Sequence, residues 1–406
     1  MGEATATVPL EGRFSKVDSK TLSTIREDTI GIRSFCNGAD HLHAMQRLVQ
    51  EIDEQYRCGW HTAAQLVVRY RGCVILDYVS GKNDRQARLP LTHESQLLVC
   101  SIGKSLLALC IHHWAEAERI DLDRPIADFW PEFSCCGKQA ITLRHTLLHQ
   151  AGLPKHALYR QLLFGQKMST TTRRLANARP RHSPGSVSAY HPLNYGYILG
   201  EVLQRVSGIP LQKYLEKYFL IPMKLRTTTW EPSRDQMIDI PRIYAAHVSQ
   251  QPAAWLFNRI RRYGIHNPGF NLYSNARELA VIFQMLANGG TYRGCRVLSE
   301  KTVRSAVELR YKGVDATIGR ETLWAEGFHL GGRKTEHDWR PGPAMGVRSS
   351  VSTFGHCGHM SSIVWADAES NLVLAFTCNG LLNGEGAARR WQRLADLAWG
   401  AVSQTD

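Results

Sequence analysis

Two residues spaced for chemistry stand early in the chain. They are Ser101 and Lys104, in the run Val99-Cys100-Ser101-Ile102-Gly103-Lys104-Ser105-Leu106-Leu107, which continues through Ala108, Leu109, Cys110 and Ile111. The segment is apolar nearly all round, the pattern of a buried helix. A spacing of three places the hydroxyl and the amine on one face, a turn apart. A lysine in such surroundings is costly unless it is paired or neutral. Catalysis accounts for that cost. A serine hydroxyl is a poor nucleophile until a base takes its proton. A lysine, ordinarily titrating at about 10.4, becomes a usable base once burial or positive neighbours depress its pKa. Backbone N–H groups at the start of a helix are also at hand to hold an oxyanion.

The tetrapeptide alone is weak, since S-x-x-K arises by chance about once or twice in a chain of this length. Gly103-Lys104-Ser105 also reads as the end of a phosphate loop, but that motif needs a glycine at position 98, which is Leu. No G-x-S-x-G elbow occurs, which disfavours an α/β-hydrolase. Two further clusters follow in order. Ser183-Pro184-Gly185 precedes Ala189-Tyr190-His191-Pro192-Leu193-Asn194-Tyr195-Gly196-Tyr197, and Phe354-Gly355-His356-Cys357-Gly358-His359 stands just before Ile363-Val364-Trp365. Taken singly, Tyr190 reads as a packed aromatic and His356 as a loop histidine.

Taken together, the motifs resemble the serine β-lactamase and penicillin-binding-protein superfamily over about residues 40 to 400. The resemblance is to its esterase-like, family VIII carboxylesterase branch beside the class C β-lactamases. Ser101 and Lys104 match its S-x-x-K, Tyr190 the tyrosine of its second motif, and His356-Cys357-Gly358 its third motif, K-T-G or H-x-G. Arg119 to Asp123, Trp130 to Phe133, Ile141 to Pro154 and Tyr273 to Ala280 resemble intervening family segments. The resemblance implies that Ser101 attacks a carbonyl while Lys104 and Tyr190 take and relay the proton, with His356 beside them. It also implies an oxyanion hole from the backbone N–H groups of Ser101 and His359, and a substrate pocket touching Gly358, His191 and Asn194. Tyr190 would need positive neighbours to work as a phenolate, and Lys104 and His356 are the ones to hand. Two departures stand out. Class C enzymes carry Tyr-x-Asn, whereas Pro192 fills the third position here, which disfavours β-lactam hydrolysis. After the third motif, His359-Met360-Ser361-Ser362 replaces a glycine-rich run.

The leading expectation is a carboxylesterase-like serine hydrolase acting on ester, amide or thioester bonds of a small acyl substrate. An acyltransferase or cyclase using the same acyl-enzyme, a β-lactamase or D-Ala-D-Ala peptidase, and a catalytically silent binding protein are the alternatives. The chemistry needs no cofactor and no metal. His145 and His149 have the i, i+4 spacing of a metal clasp but lack a Glu-x-x-His setting, and His112 and His113 read as solvated or core histidines. The net charge of +13 gathers in Arg173, Arg174, Arg179 and Arg181, then Arg259, Arg261 and Arg262. A solvated basic face accounts for these, with an acidic carrier protein or anionic substrate as the sharper option. No nucleic-acid module is present. The ten cysteines form no C-x-x-C pair, and the first thirty residues lack the apolar core of a secretion signal. A cytoplasmic setting with reduced thiols is therefore expected. No apolar run is long enough to span a membrane.

The elements that must position these residues follow from periodicity. Leu42, Met45, Leu48, Val49 and Ile52 recur at helical spacing from Ala39 to Gln55. Gln65 to Tyr70 and Cys73 to Val79 flank Arg71-Gly72, a hairpin signal. Helices are expected at Asn194 to Val206, Asn275 to Asn288 and Gly386 to about Val402. Strands are expected at Ser362 to Ala366 and Leu372 to Thr377. The fold class is therefore α/β (α+β): an antiparallel sheet of about five or more strands flanked by helices, plus a large, mostly helical lobe. The expected domains are an N-terminal arm over 1–38, a sheet lobe over 39–95 and 320–406, and a helical lobe over 96–319 carrying the S-x-x-K and tyrosine motifs.

Overall fold

The structure is a computed structural model that describes residues 39–83, 90–154, 167–263, 267–332 and 344–402. The expected arm over 1–38 lies outside the described residues. Helix α1 spans Ala39–Arg57, and the hairpin forms as read, with β1 at Ala63–Tyr70 and β2 at Cys73–Gly81. Arg71 (φ 47°) and Gly72 (φ 80°) both take left-handed backbone in its two-residue turn, the geometry that matches the twist of paired strands.

Six strands from the other end of the chain complete the sheet: β3 (Tyr311–Asp315), β4 (Arg320–Ala325), β5 (Phe328–Leu330), β6 (Thr353–Cys357), β7 (Ile363–Asp367) and β8 (Leu372–Cys378). They stand in the order β2-β1-β8-β7-β6-β5-β4-β3, and every neighbouring pair is antiparallel. The sheet thus joins both ends of the chain, as expected. Its second part begins at Tyr311 rather than 320. The reason is that β3 is an edge strand with Lys312 and Val314 exposed, and an edge strand carries little apolar alternation.

Both faces of the sheet are covered. Leu66, Val68, Trp365, Leu372, Leu374 and Phe376 pack with Met45, Leu48, Val49 and Ile52 of α1. Trp391, Leu394 and Ala398 of helix α5 (Gly384–Val402) join the same core. The alternate residues Val67, Val364, Ala366, Val373 and Ala375 turn to a larger core. That core is shared with α2 (Gly103–Ala117), α3 (Asn194–Ser207) and α4 (Ala276–Ala287). Period-two alternation delivers each set to its own layer. The middle of the chain also holds short strands, among them Leu97–Cys100, which pairs antiparallel with Leu272–Ser274. No helix among the described residues is long and apolar enough to cross a membrane.

Glycines let three segments meet beneath the first motif. A Cβ on Gly103 would stand 2.7 Å from the Pro268 carbonyl oxygen. One on Gly196, in α3, would collide with Asn267 Oδ1 and the Gly269 backbone nitrogen. In an exposed helix, Gly→Ala gains about 1 kcal/mol. Here Gly196→Ala is expected to cost roughly 1–3 kcal/mol by overpacking. A thermal melt checks the sign, and a stabilised variant would contradict this packing.

Candidate active site

The strand Leu97–Cys100 runs directly into Ser101, and Cys100 turns the chain with a left-handed φ of 49°. Such backbone in a non-glycine residue is held only by strong surroundings. Here Gly358, the residue just past β6, presses on it: a Cβ at that position would lie 2.5 Å from the Val99 carbonyl oxygen. The third motif therefore needs glycine to approach the first.

Lys104 is fully buried (0% exposed). Its Nζ lies 3.1 Å from Ser101 Oγ, 2.7 Å from the Pro192 carbonyl oxygen and 2.8 Å from the Gly269 carbonyl oxygen. Carbonyl oxygens can only accept, so two N–H bonds of the amine are committed to them. When the amine is neutral, its remaining position is a lone pair, and it faces the serine hydroxyl. Burial drives the pKa down to about 7, with the Cys100 and Cys357 thiols opposing it only in part. The geometry is that of a neutral amine ready to receive the Ser101 proton.

Tyr190 closes over the pair. Its ring lies 5.1 Å from Lys104 Nζ, 4.7 Å from the His149 ring and 6.3 Å from the His356 ring, and stacks at 5.9 Å on Trp324. Burial pushes its phenol above the ordinary range although a hydrogen bond with Ser101 pulls the other way. The positive charge that a Tyr190 phenolate would need from these neighbours is reduced here. Lys104 sits near neutrality, and burial takes His356 down to about 3.

His356 lies on β6, 1% exposed. Its Nδ1 is 2.8 Å from the Cys357 carbonyl oxygen. A carbonyl accepts, so Nδ1 carries the proton and Nε2 presents a lone pair, which has no partner among the described residues. His359 donates from Nε2 to Gln250 Oε1 at 3.1 Å, and its ring meets Phe257 at 5.1 Å. Its backbone N–H faces the Cys100 sulfur.

His191 and Asn194, expected to touch substrate, are buried and clamp one residue of the facing loop. His191 Nε2 accepts from the Leu153 N–H at 3.0 Å, and Asn194 Nδ2 donates to the Leu153 carbonyl at 2.7 Å. Through Leu153 both hold the wall of the site. Four further histidines singled out by the sequence find local partners. His145 accepts the Thr142 N–H at its own helix start (3.2 Å), while His149 accepts the His191 N–H (3.2 Å). His112 meets the Glu326 carbonyl (3.1 Å), and His113 meets the Tyr214 hydroxyl (2.8 Å). Among the described residues no three His, Cys, Asp or Glu side chains gather as metal ligands. Arg173, Arg174, Arg179 and Arg181 are exposed. Arg259 lies over the Trp255 ring and Arg261 donates to the Met237 carbonyl.

Sequence reasoning missed four contributors. Asn267 donates to the Leu193 carbonyl and accepts from the Gly269 N–H, both at 3.0 Å, and so sets the Gly269 carbonyl against Lys104. Asp315 accepts the Tyr190 N–H at 3.0 Å. Trp324 and His329 pack at 3.8 Å between ring centres behind the tyrosine. Asn267-Pro268-Gly269 announces only a turn, and Asp315 only a strand end.

This antiparallel sheet with its helical body is the β-lactamase/transpeptidase-like fold. The chain belongs to the beta-lactamase family, whose model matches residues 45–398. It is 28% identical over 347 residues to the esterase/beta-lactamase LipL of Mycobacterium tuberculosis, covering 78% of this chain and 77% of that protein. A penicillin-binding protein homologue from Caulobacter crescentus superposes with a TM-score of 0.74 at 25% identity, over 88% of this chain and 97% of the other. A family VIII carboxylesterase does so with the same TM-score and coverage at 23% identity.

The base must be neutral to accept a proton. Acylation is therefore expected to be lost as pH falls through about 7 and to reach a plateau above it. kcat/KM for p-nitrophenyl acetate against pH reads this directly. Lys104→Arg, which cannot lose its charge, should be as inactive as Lys104→Ala, on the order of 10²–10⁴-fold down. An active arginine variant would contradict the neutral-amine role.

Proposed function

We propose that this protein is a carboxylesterase-like serine hydrolase working through an acyl-serine at Ser101. The observation that carries the reading is the Lys104 amine, fully buried, held by two carbonyls and 3.1 Å from Ser101 Oγ. Ser101 Oγ attacks the ester carbonyl while its proton passes to Lys104 Nζ. The carbonyl oxygen takes the negative charge, stabilised by the backbone N–H groups of Ser101 and His359. The latter exchanges a weak sulfur acceptor for a strong one, and each such donor is typically worth about 3 kcal/mol. The Tyr190 phenol then hands a proton to the departing alkoxide and is resupplied by Lys104. Water repeats the sequence in reverse to free the acid. Lys104, Tyr190 and Ser101 share these protons as one coupled set.

The third motif supports a neutral ester over a substrate that carries a carboxylate. Where K-T-G would set an ammonium, His356 sets a lone pair, and a lone pair repels a carboxylate. Pro192 likewise offers the pocket no side-chain donor.

Ser101→Ala should abolish hydrolysis of p-nitrophenyl butyrate, by roughly 10⁶-fold or to the detection limit. Intact mass should show the acyl adduct on the wild type alone. Retained activity in the variant would remove Ser101 from the mechanism. If an added alcohol were acylated faster than water is, the protein would be a transferase instead. Rapid nitrocefin turnover would move it to the β-lactamases.

A further inference from the structure

The hairpin formed by β3 and β4 grips the tyrosine loop at several points. The Asp315 carboxylate, 0% exposed, ends β3. Its Oδ1 accepts the N–H groups of Tyr190 (3.0 Å), Thr317 (2.9 Å) and Ile318 (2.9 Å). Its Oδ2 accepts the Ser188 hydroxyl at 3.2 Å, and the Ala316 N–H donates to the Ser188 carbonyl at 2.8 Å. From the next strand of the same hairpin, Trp324 lies parallel to the Tyr190 ring, with 5° between planes. The hairpin therefore fixes Tyr190 at both its backbone and its ring. Nothing else in the proposed mechanism uses this buried carboxylate.

We infer that Asp315 is a positioning residue for Tyr190: it ties the tyrosine loop to the β3–β4 hairpin and so sets the phenol within reach of Ser101 and the leaving group. The inference rests on the proposed acyl-serine reading and names a further part of that site. The Lys104 anchors are held separately, by Asn267 on the Leu193 carbonyl and on Gly269. Loss of Asp315 should thus reach the chemistry mainly through the tyrosine. Substrate contacts remain in place, so the effect belongs in kcat. Proton transfer by a misplaced group loses most of its worth, and a displacement of about 1 Å can cost 10²-fold.

Steady-state kinetics on p-nitrophenyl butyrate with the full chain test this, with Asp315→Ala, Asp315→Asn, Tyr190→Phe and the Asp315→Ala/Tyr190→Phe double variant. Asp315→Ala should lower kcat by about 10–100-fold with KM within about twofold. Asp315→Asn should restore kcat to within about threefold of wild type. Its carbonyl oxygen can still accept the three N–H groups, and its amide can donate to Ser188 Oγ. The double variant should be no slower than Tyr190→Phe by more than about twofold, because the two changes remove one function. If Asp315→Ala does not fold, Asp315→Glu replaces it, keeping the charge but lengthening the arm, with the same expected kcat loss and the same dependence on Tyr190. Three results would overturn the assignment: an alanine variant as fast as wild type, a folded asparagine variant as slow as alanine, or losses that multiply in the double variant. Each of these leaves Ser101 as nucleophile, whereas an active Ser101→Ala would remove the reading beneath both.

Discussion

An amine buried without a counter-ion is the constraint around which this molecule is arranged. Taking an ammonium out of water costs several kcal/mol, and among the described residues no carboxylate is bonded to Lys104 to offset it. Two backbone carbonyls from different parts of the chain, at Pro192 and Gly269, meet it instead. Carbonyl dipoles satisfy N–H bonds but do not balance a full charge. The group therefore settles near neutrality, with its free position toward Ser101. The surrounding fold serves this approach. Gly103, Gly196 and Gly269 lie where side chains would hold the segments apart, and the cores on both faces of the sheet keep those segments from relaxing.

The same dryness sets the state of every proton nearby. Burial lowers His356 to about 3, His191 to about 3 and His149 well below its ordinary value, and it raises Tyr190. The site is thus biased toward neutral groups: an amine titrating near 7, a phenol and imidazoles. A proton taken from Ser101 creates charge where there was none. That charge is best met by groups already aimed at it, which is where preorganised donors have their largest effect. Three of the four histidines around Tyr190 have their orientation set by the backbone or by one another, which suits them to shaping the pocket more than to exchanging protons.

The parts legible in the sequence were those encoded by neighbours. Ser101 and Lys104 announce themselves through helical spacing, and Arg71-Gly72 marks the turn of β1 and β2. The sheet strands from Ile363 to Cys378 read as apolar runs because both their faces are buried. What escaped was encoded at long range. Gly269 reaches Lys104 across 165 positions, and Asp315 reaches Tyr190 across 125. Neither residue type nor local pattern foretells such a contact. The strand Tyr311–Asp315 was missed for a related reason: an edge strand buries half its surface at most, so selection for apolar alternation is weak there. The bonds of His191 and Asn194 to Leu153 escaped for the same reason, since the motif that holds these residues says nothing of the facing loop.

Pro192 shows why the second motif could depart from its relatives and still serve the lysine. What Lys104 requires from that position is a carbonyl oxygen, 2.7 Å away, and every residue has one. The side chain is a separate matter. An amide there would add a donor to the pocket, while proline adds none and fixes its own φ. The backbone part of the motif, which tunes the base, is thereby decoupled from the side-chain part, which meets the substrate. The third motif divides the same way. Gly358 is required by the close approach of the chain just past β6 to Val99, while position 356 is free to present a lone pair in place of a charge. A family built like this can keep its nucleophile and base intact while exchanging the groups that select among acyl donors, because the two sets of demands fall on different atoms of the same residues.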